Sequence, residues 1–280
     1  PEDSWSEGKR PAETAQGRLV LRTHPRGPAG HAARGRLPRR LHGDDGGPQE
    51  AVTSQAIRRL LPPWLARRIL HFEFLIEDHL KRFAASLPPG ARLLDAGAGE
   101  GQYAHYFTRQ RYCGVDLGIG DAAWNYRDLD AVADLTALPF AADTFDAALN
   151  IVTLEHVREP ARVVCELSRV LAPAAPLLLV VPHQWEVHQA PHDYFRYTRH
   201  GVEYLLNQAG FDVMYLDPAG GLFRLLSRRL WNALQLMPWW SLPVAALLIV
   251  PPALLLPLLD PLDGDGNSTL GYLCLARKRP

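Results

Sequence analysis

From residue 64 onward, the spacing of apolar residues changes repeatedly between the helical and the strand period. Between Trp64 and Leu87 they lie three or four positions apart, which is typical of a helix with one buried stripe. Shorter apolar runs predict strands at Arg92–Asp95, Tyr112–Asp116, 145–150, Pro176–Pro182 and Phe211–Asp217. Helical patterns between them predict helices at Gln102–Gln110, Ala161–Leu171 and Arg199–Gln208. Strands and helices in alternation indicate a parallel sheet with right-handed crossovers.

The sequence LLDAGAGEGQY, from residue 93 to 103, predicts a buried strand that runs into a glycine-rich turn. Asp95 lies at the carboxyl end of this strand. The turn contains three residues without a Cβ atom, which lets a ligand approach the backbone: Gly97, Gly99 and Gly101. Asp116 ends the next strand, at about the spacing from which an acidic side chain reaches ribose hydroxyls. These features predict a site for a nucleotide-like ligand.

The spacing of the glycines indicates which kind of ligand the turn binds. Turns that bind dinucleotides follow the pattern G-x-G-x-x-G and place a pyrophosphate at a helix N-terminus. Here the pattern is G-x-G-x-G, and Asp95 and Glu100 would repel an anion. A ligand with a positive sulfonium and ammonium fits this acidic rim better. With these motifs, the region from about Leu93 to Phe211 resembles the class I S-adenosylmethionine-dependent methyltransferases of type 11.

The resemblance implies a fold and a set of cofactor contacts. The fold would be a Rossmann-like α/β fold with a mostly parallel seven-stranded sheet and an antiparallel last strand. The methionine part of S-adenosylmethionine would lie against Asp95 and the glycine turn, and the ribose against Asp116. The run from Ala133 to Val157 resembles the central block of the family, in which Asp134 and Leu135 approach the adenine and Asn150 lies beside the methyl donor. One departure is Ala174-Ala175, where the family usually has a glycine pair.

The loop HQWEVHQAPHDYFRYT, residues 183–198, follows the fifth strand and resembles the acceptor side of the family's site. Its candidate proton acceptors are His183, His192 and Asp193. An alternative is that Asp193 pairs with Arg196 and fixes the loop. A metal site is not expected, because the loop has no short helical H-x-x-x-H pair. Glu155 and His156, which follow the fourth strand, are expected to shape the turn beneath the site.

Residues 218–266 separate the sixth strand from the last one, for which the candidate begins at Thr269. The first part of this insertion is basic and carries tryptophans, and residues 242–259 are apolar apart from four prolines. We expect an interfacial helix anchored by tryptophans, with its arginines toward lipid head groups: Trp231, Trp239 and Trp240, with Arg224, Arg228 and Arg229. Residues 222–259 would then contact the membrane without crossing it. The alternative is a buried cap or a dimerisation hairpin.

The amino-acid composition limits the partners and the cellular compartments that can be expected for this protein. Lysine plus arginine and aspartate plus glutamate number 30 each, so no overall field attracts a nucleic acid. The three cysteines lie far apart and indicate a reducing compartment. No signal for cleaved secretion is apparent. These features predict a cytoplasmic protein, peripheral on the inner face of the membrane. Residues 1–50 are predicted to be a disordered basic tail, and the methyltransferase domain to comprise residues 51–217 and 267–280.

The predicted function is S-adenosylmethionine-dependent methyl transfer to an oxygen or nitrogen nucleophile of a small or lipid-linked acceptor. Two alternatives belong to other classes. A non-catalytic adaptor could keep the nucleoside pocket and dock on a membrane or a partner through the insertion. A nicotinamide oxidoreductase is disfavoured by the glycine spacing. The sequence does not select the acceptor.

Overall fold

A computed structural model describes residues 58–59, 61–120 and 124–280, so the predicted disordered tail lies outside the described residues. The helices are α1 (Pro63–Ile69), α2 (His71–Ser86), α3 (Pro160–Val170), α4 (Arg199–Gln208), α5 (Leu222–Gln235) and α6 (Leu242–Leu255). The strands are β1 (Arg92–Ala96), β2 (Arg111–Asp116), β3 (Ala131–Val132), β4 (Ala147–Ile151), β5 (Pro176–Pro182), β6 (Phe211–Pro218) and β7 (Gly271–Lys278).

The seven strands form one sheet in the order β3-β2-β1-β4-β5-β7-β6. Strands β1 to β5 pair in parallel, whereas β7 runs antiparallel to both of its neighbours. This topology confirms the predicted fold class, including the antiparallel last strand. Because β1, β2 and β4 point the same way, their carboxyl ends meet at one edge, where open α/β sheets bind ligands.

Helices cover both faces of the sheet. On one face, α3 buries an apolar stripe at helical spacing, consisting of Val163, Val164, Leu167 and Val170, and α4 packs beside it. On the other face, α2 buries Phe72, Ile76, Leu80 and Phe83, and α5 adds Leu225. Burying one side chain of this size stabilises the folded state by about 1.5–3 kcal/mol relative to leaving it exposed to water. The core therefore holds α2 and α5 beside the carboxyl edge of the sheet.

Two predicted helices differ from the structure. The helix predicted at Gln102–Gln110 is wrong: only a 3-10 turn at Ala104–Tyr106 forms. Phe107 is buried against α2, and the Gly90 N–H donates to the Arg109 carbonyl, so the chain must already turn toward β2 there. The single helix predicted from Trp64 breaks at Leu70, whose backbone leaves the helical region. The break lets α1 contact α5 while α2 packs on the sheet.

The insertion between β6 and β7 folds as α5, α6 and a 3-10 turn at Leu256–Leu262, which we call the apolar hairpin. Ser227 of α5 donates a buried hydrogen bond to the Ala253 carbonyl of α6. The continuous helical segment Leu242–Leu262 is long and apolar enough to cross a membrane by length and composition, which is weak evidence on its own. Only 11% of an 18-residue apolar stretch of this segment is buried, unlike a core helix.

The arginines of α5 do not point where the sequence suggested. Arg224 pairs with Asp260, Arg228 with Glu73 and Arg229 with Glu186. All three guanidinium groups therefore contact acidic groups of the protein, and their predicted orientation toward lipid head groups is wrong. The pattern of charges in the sequence could not show this, because two of the partners, Glu73 and Glu186, lie far from α5 in the chain.

Candidate functional site

A cavity of about 370 Å³ opens at the carboxyl ends of β1, β2 and β4. One side, the glycine wall, includes the turn after β1 and the ends of β2 and β3: Gly97, Gly99, Tyr103, Asp116, Trp124, Asp134 and Leu135. The opposite side, the histidine wall, includes residues after β4 and β5: Thr153, His156, Trp185, His188 and His192. Phe72, Glu73 and Ile76 of α2 close the cavity between the two walls.

The backbone of the turn requires glycine at Gly97. This residue has a φ of +89°, and a Cβ atom added to it would lie 2.2 Å from Cγ2 of Thr153. Gly99, with a φ of +55°, also lines the cavity. Gly101 has a positive φ as well, but it does not line the cavity. The turn thus brings its backbone to the cavity at two of its three glycines.

The Asp116 carboxylate connects two segments of the glycine wall through hydrogen bonds. One oxygen accepts a 3.0 Å hydrogen bond from the Gly99 N–H, and the other accepts a 2.8 Å bond from the Gly118 N–H. Each oxygen retains acceptor capacity toward the cavity. Asp116 can therefore fix the turn and accept hydrogen bonds from two vicinal hydroxyls of a ligand.

Asp95 is buried beneath the turn rather than on the surface of the cavity. Its Oδ2 accepts a 2.6 Å hydrogen bond from the Tyr112 hydroxyl. Burial raises the pKa of Asp95 to about 7, and the charge of Asp116 acts in the same direction, while the Tyr112 bond opposes it. The structure thus separates the two acidic strand ends: Asp116 faces the cavity and Asp95 supports the turn from below.

We expect Asp95→Asn to stabilise the protein in mildly alkaline solution. Between pH 4 and 7 the folded state keeps a proton on Asp95 that the unfolded chain has lost, so the stability of the parent protein falls as pH rises through this range. A shift from 3.8 to about 7 corresponds to roughly 4 kcal/mol as an upper limit. Urea unfolding at pH 5 and pH 8 should show a smaller loss of stability for Asp95→Asn.

The control for this experiment is Asp128→Asn, which changes an exposed carboxylate outside the cavity. Its stability should follow that of the parent at both pH values. Equal pH slopes for Asp95→Asn and the parent would show that Asp95 is ionised in the folded protein. The measurement is made without cofactor, so that ligand binding does not enter the free energy.

The other residues predicted to contact the cofactor occupy different depths. Asp134 and Leu135 line the cavity, and the Asp134 carboxylate accepts hydrogen bonds from the Thr136 N–H and hydroxyl. Asn150 is fully buried and does not line the cavity. Its amide donates a 2.8 Å hydrogen bond to the Ala96 carbonyl. In this geometry Asn150 joins β4 to β1 next to the turn.

The structure separates the three predicted proton acceptors. His192 lines the cavity, with Nδ1 3.1 Å from the Tyr194 hydroxyl. His183 does not line it, and its Nδ1 donates to the Tyr197 carbonyl. Asp193 is held by Arg196 through two hydrogen bonds of 2.6 and 2.8 Å, which lower its pKa to about 2. Asp193 thus forms the ion pair with Arg196 that is the alternative to its role as a proton acceptor.

Several residues of the histidine wall were not predicted as site residues. His156 and His188 approach each other at the cavity with ring centroids 4.7 Å apart. Burial alone would lower the pKa of His188, but nearby carboxylates and the Glu186 carbonyl raise it. Trp185 lies between Phe72 and Arg228. Only the density of histidines and aromatic residues in the loop signalled this wall.

Curated proteins similar to this chain are methyltransferases or bear that name. A demethylmenaquinone methyltransferase from Renibacterium salmoninarum is 33% identical over 102 residues, which cover 34% of this chain and 43% of that protein. An uncharacterized methyltransferase from Mycobacterium sp. is 33% identical over 106 residues, covering 35% and 42%. The chain thus spans less than half the length of these relatives.

Solved structures also resemble the fold. An S-adenosylmethionine-dependent methyltransferase from Mesorhizobium loti has a TM-score of 0.46 and 18% identity, with 72% of this chain and 96% of that chain covered. Phosphoethanolamine N-methyltransferase 2 from Haemonchus contortus, in complex with S-adenosyl-L-methionine, has a TM-score of 0.48 and 15% identity, with coverages of 83% and 59%.

A family model described as a methyltransferase domain matches residues 94–179, from β1 to β5. The matched residues include the glycine turn, Asp116 and both segments that border the cavity after β3 and β4. This match confirms the resemblance stated from the sequence, and it supports S-adenosylmethionine as the cofactor of the matched segment. Over residues 94–179, the chain therefore resembles the methyltransferase domain family, whose methyl donor is S-adenosylmethionine.

Proposed function

We propose that this protein transfers a methyl group from S-adenosylmethionine to an oxygen or nitrogen atom of a small or lipid-linked acceptor. The observation that carries the proposal is the shape of the cavity. Its glycine wall offers a close backbone approach and the Asp116 carboxylate, while the histidine wall opposite offers imidazole and indole groups. A cavity of this size suits a cofactor and the reacting part of an acceptor.

The cofactor supplies an electrophilic methyl group, so the main task of the protein is to align the acceptor with it. Asp116 and the turn hold the donor side, and Trp185 gives the histidine wall a flat apolar surface. His192 is placed to accept the acceptor's proton: when its Nδ1–H donates to Tyr194, its Nε2 is free as a base. Asp193 and Arg196 fix the loop that carries it.

The proposed site of membrane contact is the apolar hairpin. Its tip exposes Trp239 and Trp240, at 83% and 70%, and α6 exposes Leu247 and Leu248 at 73% and 68%. Helix α6 has no charged residue and is apolar on all sides, so it lacks the single apolar stripe that a protein partner would cover. Exposed tryptophans beside such a helix are typical of an interfacial position in a bilayer.

We propose that the hairpin enters the membrane without crossing it. The chain leaves the sheet at β6 and returns at β7, which pairs with β6, so both ends of the hairpin lie on the same side. Helix α5 is 14 residues long, about 21 Å, which is shorter than a hydrocarbon core of about 30 Å. In addition, the arginines of α5 form ion pairs with acidic side chains of the protein, which holds this helix against the rest of the fold.

The hairpin also supports the histidine wall. The Arg228 guanidinium lies 4.6 Å from the centre of the Trp185 ring and pairs with Glu73, and both partners line the cavity. A lipid-linked acceptor delivered by the membrane would therefore reach the wall beside the helix that contacts the bilayer. Because one relative is named a demethylmenaquinone methyltransferase, a quinone is one acceptor to test separately from the proposed oxygen and nitrogen nucleophiles.

The proposal is tested by incubating purified protein with methyl-labelled S-adenosylmethionine and bacterial extract separated into lipid, saccharide and protein fractions. We expect label in the lipid fraction. Cofactor binding without label in any fraction would contradict methyl transfer and favour the non-catalytic adaptor. Protection against thermal unfolding by NADH, but not by S-adenosylmethionine, would favour the oxidoreductase.

The variant His192→Ala tests the histidine wall in the same assay. We expect turnover to fall by about 10²–10⁴, the usual contribution of a general base, while affinity for S-adenosylmethionine changes little. The matched control is His200→Ala, which removes an exposed imidazole of α4. Loss of cofactor affinity in His192→Ala would place this residue on the donor side and contradict the proposed role.

A further inference from the structure

Glu155, His156 and His188 form a cluster at the histidine wall that the proposed methyl transfer does not explain. Glu155 is completely buried, and within the described residues neither of its carboxylate oxygens receives a hydrogen bond. Nε2 of His156 is also buried without a hydrogen-bond partner there. A buried carboxylate without a donor is costly, and such groups are usually paired or coordinate a metal ion.

The hydrogen bonds of the two histidines orient them toward Glu155. Nδ1 of His156 contacts the His192 carbonyl, and Nδ1 of His188 contacts the Glu186 carbonyl. A carbonyl oxygen can only accept, so each Nδ1 carries a proton, and in the neutral imidazole each Nε2 then keeps its lone pair. Both lone pairs belong to the atoms that approach Glu155. Metal-binding histidines are typically held in this way, with the second nitrogen bound to a backbone carbonyl.

The distances are close to those of a coordination site. Oε1 of Glu155 lies 3.5 Å from Nε2 of His156 and 3.7 Å from Nε2 of His188. Ligand bonds of about 2.0–2.2 Å in tetrahedral geometry give ligand separations of roughly 3.3–3.6 Å. The three ligand atoms all lie within 4.8 Å of one another, so a small movement of the His188 loop completes the site.

We propose that Glu155, His156 and His188 bind one divalent transition-metal ion, with Zn²⁺ as the best match to two imidazoles and a carboxylate. This ligand set with an open fourth position is typical of catalytic zinc. Glu155 lies beneath the wall, whereas His156 and His188 line the cavity, so the open position faces the acceptor side.

The role of the metal rests on the proposed function, although the site itself does not. A bound acceptor hydroxyl loses its proton more readily on the metal. The proton passes to His192, the electron pair of the oxygen forms the bond to the methyl carbon, and the carbon–sulfur bond breaks with its electrons remaining on sulfur. The metal would thus select acceptors that present an oxygen to the histidine wall.

The metal site is tested on the full chain after chelator treatment, by calorimetric titration with Zn²⁺ alone and by the visible spectrum of the Co²⁺-loaded protein. We expect one strongly bound ion per chain. Glu155→Gln and His188→Ala should each weaken binding by more than the 10–100-fold that loss of an outer-shell partner typically costs. The control variants, His105→Ala and His200→Ala, change exposed histidines elsewhere and should bind like the parent.

The outcomes separate the metal site from the proposed function. If Glu155→Gln fails to fold, His188→Ala decides, because its half-buried side chain can be removed from a loop. Unchanged Zn²⁺ affinity in His188→Ala, or equal losses in the control variants, would overturn the site. Zn²⁺ bound at these residues in a protein that transfers no methyl group would retain the site and remove the proposed function. Full methyl transfer by metal-free protein would remove the catalytic role.

Discussion

The double variant Leu247→Glu/Leu248→Glu should no longer float with phospholipid vesicles, whereas the parent protein should float. Both leucines are largely exposed on α6, so the change places two charges on the surface that we propose to enter the bilayer. An acidic residue inside a membrane costs up to about 2.5–3.5 kcal/mol, and two such costs exceed what a shallow apolar contact can offset. Flotation in a density gradient measures the result.

The matched control is Tyr204→Glu/Met214→Glu, which puts the same two charges on exposed apolar residues of α4 and β6, outside the hairpin. This variant should float like the parent, and all three proteins should melt at similar temperatures. A parent protein that stays in solution as a dimer, with a monomeric Leu247→Glu/Leu248→Glu variant, would assign the hairpin to an oligomer interface and contradict the membrane proposal.

The inward arginines change the lipid dependence that we expect. Since Arg224, Arg228 and Arg229 are paired with Asp260, Glu73 and Glu186, they add little attraction to anionic head groups. Binding should therefore persist on zwitterionic vesicles and depend weakly on salt. Flotation that requires anionic lipid would show that these ion pairs open at the membrane.

The second large effect is expected for Asp116→Ala, which should weaken S-adenosylmethionine binding by about 10²-fold or more. The change removes two acceptors from the glycine wall, and a hydrogen bond to a charged group contributes about 1.5–3 kcal/mol. It also releases the N–H groups of Gly99 and Gly118 that the carboxylate holds. Calorimetry with S-adenosylmethionine and with its demethylated product measures the loss.

Two further variants show whether the loss comes from the carboxylate. Asp116→Asn keeps one oxygen acceptor and should lie between the parent and Asp116→Ala. Asp128→Ala removes an exposed carboxylate outside the cavity and should bind like the parent. Affinity within a few-fold of the parent for Asp116→Ala, with the fold intact, would place the ribose elsewhere.

The sequence predicted helices and strands correctly where proline or a capping residue defines their ends. Strand β5 begins and ends at prolines and matches the prediction at both ends. Helix α4 also matches, because Thr198 caps it by accepting a hydrogen bond from the Gly201 N–H. The segment after the glycine turn has no such marks, and burial of Phe107 decided its path instead. Local pattern thus predicted elements best where backbone chemistry fixes their boundaries.

The site could be predicted only in part for a similar reason. The turn, Asp116, Asp134 and Leu135 follow one another in strand order, so their positions at the cavity could be expected from topology. The cluster of Glu155, His156 and His188 joins two distant segments through the packing of a loop. Spacing within one segment cannot indicate such a cluster, and the absence of a short helical H-x-x-x-H pair led to the expectation of no metal.

Strand β7 lies between β5 and β6, although it follows both of them in the chain. A ribosome releases the N-terminal part first, so β6 and the apolar hairpin emerge before the strand that joins β6 to the sheet. Until β7 has been made, the edge of β5 has no partner, and an unpaired edge readily pairs with other chains. The newly made chain therefore exposes an open sheet edge and an apolar surface at the same time, and it most needs chaperones between the synthesis of β6 and the synthesis of β7.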